Sequence, residues 1–151
     1  MRKGTDLQVR NYAVLPGDQI SDSWSFVDQI DSNYDCEVFG PNGFYRHFTG
    51  TLNDPGLSVA ISYSKLNELL IHFKNNRNSV LNVEIKDLSY GAKPLRKRLH
   101  KGSNSIVVDL SKSHQWYDLQ IKVDGFPAFK RRLAGRMENG KWTKTDPNIG
   151  K

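Results

Sequence analysis

Histidine and cysteine are the side chains with which this sequence could bind a metal or move a proton, and their spacing does not favour either chemistry. The four histidines, His47, His72, His100 and His114, are widely separated, and none sits at a metal-ligand spacing such as H-x-x-x-H. One cysteine, Cys36, excludes an internal disulfide framework and any cysteine-cluster metal centre. The G-x-S-x-G, H-E-x-x-H, EF-hand and Walker patterns are all missing. Catalytic groups converge in space rather than in sequence, so the missing motifs lower the expectation of an enzyme without abolishing it. No catalytic residue, cofactor-binding residue, cofactor or metal ligand is assigned.

What the sequence does concentrate is positive charge. Lys93, Arg96, Lys97, Arg98, His100 and Lys101 form one stretch, and Lys130, Arg131, Arg132 and Arg136 form another. If the two stretches share a sheet, they make a cationic face that could meet lipid phosphates or an anionic membrane, at about 1 kcal/mol per close Lys or Arg. A solvated edge that discourages sheet-to-sheet association is the plainer reading and carries somewhat more weight. The candidate surface contacts are Arg96, Lys97, Arg98, Lys101, Lys130 and Arg132, joined by Trp116, which falls on the polar face of its strand. Trp24 shares the parity of Ile20 and Phe26 and is expected in a core, while Trp142 lies in a polar tail. Overall, 22 Lys+Arg against 16 Asp+Glu give a net charge of +6. Aromatic and basic residues do not interleave along one strand as in a stacking platform, so nucleic acid is not an expected partner.

These groups must be positioned by a soluble β framework. Hydrophobic residues make up 37% and charged ones 25%, with a mean hydropathy of −0.61, which gives enough apolar material for one large domain or two small ones. No run approaches the roughly 20 apolar residues of a membrane-spanning helix. Met1-Arg2-Lys3 leads into polar sequence rather than the apolar run of a secretory signal.

An internal repeat is the strongest signal. Residues 12–52 resemble residues 97–137: Gly17 matches Gly102 at an offset of 85, Tyr34-Asp35 matches Tyr117-Asp118 at 83, and Phe44-x-Arg46-x-x-x-Gly50 matches Phe129-x-Arg131-x-x-x-Gly135 at 85. Residues 53–96 have no counterpart ahead of residue 12. The expected organisation is therefore the C-terminal half of a first repeat over 1–52, a complete second repeat over 53–140 and a tail over 141–151. On this reading the chain is a fragment of a longer protein, cut inside the first repeat.

Within the second repeat, apolar residues alternate with period two, the pattern of half-buried strands. Leu57/Val59/Ile61/Tyr63, Leu69/Ile71/Phe73, Leu81/Val83/Ile85, Leu95/Lys97/Leu99, Ile106/Val108/Leu110 and Tyr117/Leu119/Ile121/Val123 are followed by a last strand over about 128–136. Seven short strands separated by polar turns predict an all-β, antiparallel immunoglobulin-like sandwich. One helical turn over Leu66, Leu69, Leu70 and Phe73 is the competing reading for that segment. The truncated first repeat is expected to add strands near 11–15, 19–26, 34–39 and 44–51, with Gly40-Pro41-Asn42-Gly43 as a tight turn. Tyr34 and Tyr117 start equivalent strands and are expected to tie loop backbone with their hydroxyls. Cys36 aligns with Leu119 as a small inward hydrophobe.

On these residues a family likeness rests. Tyr34-Asp35-Cys36-Glu37-Val38-Phe39-Gly40-Pro41-Asn42-Gly43-Phe44-Tyr45-Arg46-His47-Phe48-Thr49-Gly50 resembles the Y-D-L-x-V-x-G-P-N-G-F-x-R-x-F-x-G signature of the duplicated C-terminal domain of bacterial phosphocholine-type phospholipase C. Ser113–Leu119, Phe129–Gly140 and Thr145-Asp146-Pro147 resemble the segments that close the second copy. Cys36 stands where the signature has Leu. The resemblance implies a parent enzyme, exported to the periplasm or secreted, whose phosphodiester chemistry resides in a large N-terminal phosphatase-like domain. That domain would be the partner of these residues, a phospholipid surface a possible further one, and no catalytic residue is carried over. A generic immunoglobulin-like carbohydrate- or protein-binding module is the alternative.

Overall fold

The computed structural model describes residues 8–24, 33–64, 67–140, 142 and 144–148. Its strands are β1 Asn33–Phe39, β2 Tyr45–Thr51, β3 Leu57–Tyr63, β4 Glu68–Asn75, β5 Leu81–Asp87, β6 Leu95–Leu99, β7 Gly102–Asp109, β8 Trp116–Val123 and β9 Phe126–Arg136, with one 3₁₀ turn at Ser111–Ser113. All pairings are antiparallel. One sheet runs β1-β2-β9-β8-β5-β6 and the other β3-β4-β7. Strands β3 to β9 form the expected sandwich, with β6 beside β5 on the larger sheet; in constant-type immunoglobulin domains the fourth strand joins the opposite sheet.

Period-two alternation places the core. Leu69, Ile71 and Phe73 of β4 face Val83 and Ile85 of β5, Leu119 and Ile121 of β8, and Phe129 and Leu133 of β9 in one buried cluster. At about 25 cal/mol per Å² of apolar area removed from water, this layer is the main stabilising term. The competing helical turn is excluded over 68–75, where β4 pairs with both β3 and β7; Leu66 lies outside the described residues. Asn75 ends β4 fully buried. Its side-chain amide donates to the carbonyls of Ser79 (2.9 Å) and Leu99 (3.1 Å), closing the β4–β5 corner over the end of β6.

In the first repeat only the later half of the expectation holds. β1 and β2 form a hairpin across Gly40–Gly43, where Asn42 and Gly43 take positive φ and the Phe44 amide donates to the Pro41 carbonyl at 3.0 Å. The strands expected near 11–15 and 19–26 do not form over the described residues: 8–24 runs outside both sheets, and Ile20 is exposed. Residues 25 and 26 are outside the described set. The physical reason lies in the pairing, since the aligned strands β6 and β7 are held by β5 and β4, whereas among the described residues no strand pairs with 8–24 to supply a ladder. Trp24 is accordingly half-buried rather than in the core, with the Arg10 guanidinium 4.5 Å from its ring.

Candidate interaction face

The two repeats meet where β2 lies antiparallel to β9, and their register makes the junction an approximate two-fold. His47 stands opposite Arg132, its own equivalent at offset 85, while Arg46 opposite Leu133 is matched by Arg131 opposite Phe48. Each arginine crosses to the other repeat. Arg46 donates to the Ala134 carbonyl (2.6 Å) and the Tyr117 hydroxyl (3.0 Å). Arg131 donates to the Thr49 carbonyl (2.7 Å) and the Tyr34 hydroxyl (2.5 Å). Ala134 and Thr49 are themselves equivalents, so the crossed bonds are reciprocal.

The repeat signature thereby acquires a cause. Its Arg reaches across the junction, and its Gly makes room for the tyrosine of its own repeat, because Tyr34 pairs with Gly50 and Tyr117 with Gly135. A Cβ on Gly135 would lie 3.0 Å from the Tyr117 hydroxyl oxygen, and one on Gly50 would collide with the Tyr34 hydroxyl and the Asp54 carboxylate. The Tyr117 hydroxyl was expected to tie a loop backbone. It instead joins Arg46 and the Tyr63 hydroxyl (2.7 Å), where burial and the Tyr117 hydrogen bond together push the Tyr63 phenol pKa up. Tyr34 in turn bonds Asp54, which also accepts from Arg131 at 3.3 Å.

On the opposite, solvent side of the larger sheet the basic residues are sorted by parity. Arg96 opposes Glu84, Glu84 opposes Lys122, and Lys122 opposes Lys130 in one row across β6, β5, β8 and β9. Lys86, Gln120 and Arg132 make the next row. The strands that carry the two charged stretches, β6 and β9, thus lie on one sheet, although β8 and β5 separate them by about 14 Å at ~4.8 Å per strand. Lys86 and Lys122, which the linear clusters did not include, fill that interval.

Not every candidate is free to act. Arg96 is tied to Glu84 at 2.8 Å. Lys97 has the inward parity and donates to the Ser105 carbonyl (2.6 Å), and Lys101 donates to Asn78 (2.7 Å). Trp116 is half-buried, its indole N–H donating to the Lys144 carbonyl (3.0 Å) and its ring lying against Gly43. Arg131 and Arg136 point away from the basic face or are enclosed, with side chains only 13% and 2% exposed. Among the described residues, Lys86, Arg98, Lys122 and Lys130 make no ion pair. Trp142 is fully exposed.

Arg132 grips Asp118 with two parallel hydrogen bonds of 2.8 Å, and Ser89 adds a third at 2.7 Å. Burial alone would raise the Asp118 carboxyl pKa, but these hydrogen bonds outweigh it and hold it below the usual range. A depressed folded-state pKa stabilises the fold above the unfolded value of about 3.9 and loses that contribution as pH falls through the folded value. Urea unfolding of Asp118→Asn should therefore depend less on pH below about 4 than the parent chain does. Identical acid limbs would show that another carboxylate carries the dependence.

Cys36 lies half-buried on the inner face of β1, where burial, aided by Asp35 and Glu37, pushes its thiol pKa up. On the outer face of the same hairpin, Asp35, Glu37 and His47 bring three ligand-type atoms within 4.8 Å of one another. No sequence motif marks this group, because cross-strand register alone assembles it.

Comparison with known proteins agrees with this geometry. The family described as bacterial phospholipase C, C-terminal domain, matches residues 2–51 and 57–136. A non-hemolytic phospholipase C of Burkholderia pseudomallei is 34% identical, covering 91% of this chain and 21% of the relative. A non-hemolytic phospholipase C of Pseudomonas aeruginosa is 32% identical over 83% of this chain and 20% of its own length, and a hemolytic phospholipase C of the same organism is 30% identical over 80% and 18%. The chain thus spans about a fifth of the length of these curated relatives. With two matched segments that reproduce the two halves of the crossed Arg–Tyr junction, the chain belongs to the bacterial phospholipase C C-terminal domain family.

Proposed function

We propose that these residues form a non-catalytic C-terminal region of an exported phospholipase C, and that the outer face of its larger sheet associates weakly with anionic phospholipid surfaces. The hydrolysis of phosphocholine lipids belongs, on this reading, to the catalytic domain elsewhere in the parent chain. The observation that carries the lipid reading is Lys86, Arg98, Lys122 and Lys130 on the solvent-facing side of one sheet without ion pairs among the described residues. Four such charges supply about 4 kcal/mol near an anionic leaflet, enough for millimolar attachment that keeps an enzyme close to lipid. Arg132 and Arg96, neutralised by Asp118 and Glu84, add less.

Sedimentation with anionic and with zwitterionic vesicles at low and at moderate salt tests this. Binding should appear with anionic vesicles at low salt and fall steeply as the Debye length shortens to about 10 Å at 0.1 M. It should vanish in a Lys86→Glu, Lys122→Glu, Lys130→Glu variant, whose positions lie on the solvent side of the sheet, away from the core. Binding indifferent to charge reversal, or none at low salt, would leave packing against the catalytic domain as the role of this region.

A further inference from the structure

On the outer face of the β1–β2 hairpin the two repeats balance their charge differently. Glu37 stands directly opposite His47, and Asp35 lies two residues away on the same face of β1. The equivalent positions in the second repeat are Gln120, directly opposite Arg132, and Asp118, two residues away. There the aspartate meets a permanent cation of its own repeat, since Arg132 donates twice to Asp118 at 2.8 Å. In the first repeat an imidazole replaces the guanidinium, and a second carboxylate replaces the Gln120 amide. His47 Nε2 lies 2.6 Å from Asp35 Oδ1 and 3.9 Å from Glu37 Oε1. Among the described residues neither carboxylate has a lysine or arginine within ion-pair distance. Arg132, opposite His47 on β9, is already engaged by Asp118.

We infer that Asp35, Glu37 and His47 bind a divalent first-row transition ion of the zinc type, which clips β1 to β2 and supplies the positive charge that Arg132 supplies in the second repeat. Four-coordinate zinc holds imidazole nitrogen and carboxylate oxygen at about 2.0–2.2 Å, so its ligand atoms stand roughly 3.3–3.6 Å apart. The separations of 2.6 and 3.9 Å bracket that spacing, and all three ligand atoms lie within 4.8 Å of one another. The small adjustment falls on side chains with room to make it: Asp35 and Glu37 are 71% and 45% exposed, whereas His47, at 12%, is enclosed. An imidazole nitrogen beside two carboxylates selects zinc, cobalt, nickel or copper over calcium and magnesium, which take oxygen ligands. Three protein ligands leave a fourth position to solvent. The ligands come from both strands of the hairpin, and β1 ends its sheet among the described residues, so the ion reinforces a strand held by β2. None of Lys86, Arg98, Lys122 and Lys130 takes part, so the metal site stands whether or not the lipid reading holds.

Titration of the untagged 151-residue chain with zinc, read by competition with a chromophoric chelator, should give one-to-one binding in the micromolar range. His47→Gln and Asp35→Asn should each weaken binding by about tenfold or more, at least the loss that follows removal of an outer contact to a metal ligand. Asp35→Asn alters a largely exposed carboxylate, so the result does not depend on how well the His47 variant folds. His72→Gln should leave binding unchanged, and excess calcium or magnesium should not displace zinc. Hydrogen exchange gives a second readout. With free zinc at about ten times Kd, openings that part β1 from β2 become about tenfold rarer, and β1 amides should exchange more slowly by that factor. The same zinc should leave β1 exchange in His47→Gln unaltered. Binding only at millimolar zinc, binding that survives His47→Gln or is lost equally in His72→Gln, displacement by calcium, or β1 exchange indifferent to saturating zinc would each overturn the inference.

Discussion

Replacing Arg131 with leucine should lower the free energy of unfolding by about 3–5 kcal/mol, the range for removing one partner of a buried charged network. The guanidinium side chain is 13% exposed and holds the Thr49 carbonyl, the Tyr34 hydroxyl and Asp54 together. Leucine fills part of the volume but leaves the Asp54 carboxylate, itself 23% exposed, facing Tyr34 without a counter-charge. The loss should be local as well as global: hydrogen exchange of β1 and β2 should accelerate before that of β4 and β8, because Arg131 fastens the hairpin rather than the main core. Arg131→Lys should recover only part of the loss, since an ammonium cannot present the planar fork that meets Thr49 and Tyr34 at once. A loss under about 1 kcal/mol in urea unfolding would mean that the β2–β9 ladder alone holds the repeats together.

Tyr117→Ala should cost about as much, 3–5 kcal/mol in the range of large-to-small aromatic substitutions, for a different reason. The ring is 2% exposed, packs over Gly135 and meets Tyr63 with centroids 6.2 Å apart. Its removal opens a cavity at the junction of the two sheets, and its hydroxyl is the point where Arg46 and Tyr63 converge. Tyr117→Phe separates the two contributions: the ring stays, and the loss should shrink to about 1–2 kcal/mol for the hydroxyl. Equal losses for Phe and Ala would show that the hydrogen-bonded junction, not the packed ring, carries the stability of this site.

Much of this architecture was legible in the residues. Strands β3 to β9 follow from alternation such as Leu81/Val83/Ile85, because a strand buried on one face repeats every second residue whatever its partners are. The Gly40–Gly43 turn follows from residue types that tolerate positive φ. Other features were not legible for reasons equally physical. Residues 11–15 have strand-like composition, but a strand exists only where a neighbour completes its ladder, and composition does not reveal a neighbour. Arg131 and Arg132 are adjacent in the chain and look alike as charge, yet the pleat sends one into the seam between repeats and the other out over Asp118.

By itself, then, the order of amino acids determined the all-β class, the positions of β1 to β9 and of the Gly40–Gly43 turn, and the family signature, all of which are encoded by local period and residue type. Only the tertiary structure decided which basic residues stand without an ion pair on the outer face among the described residues, that the signature Arg and Tyr of one repeat bind those of the other, and that β1 ends its sheet among the described residues. Those properties belong to register between strands 70 to 100 residues apart, and register is set by the packing of whole sheets rather than by any segment read alone.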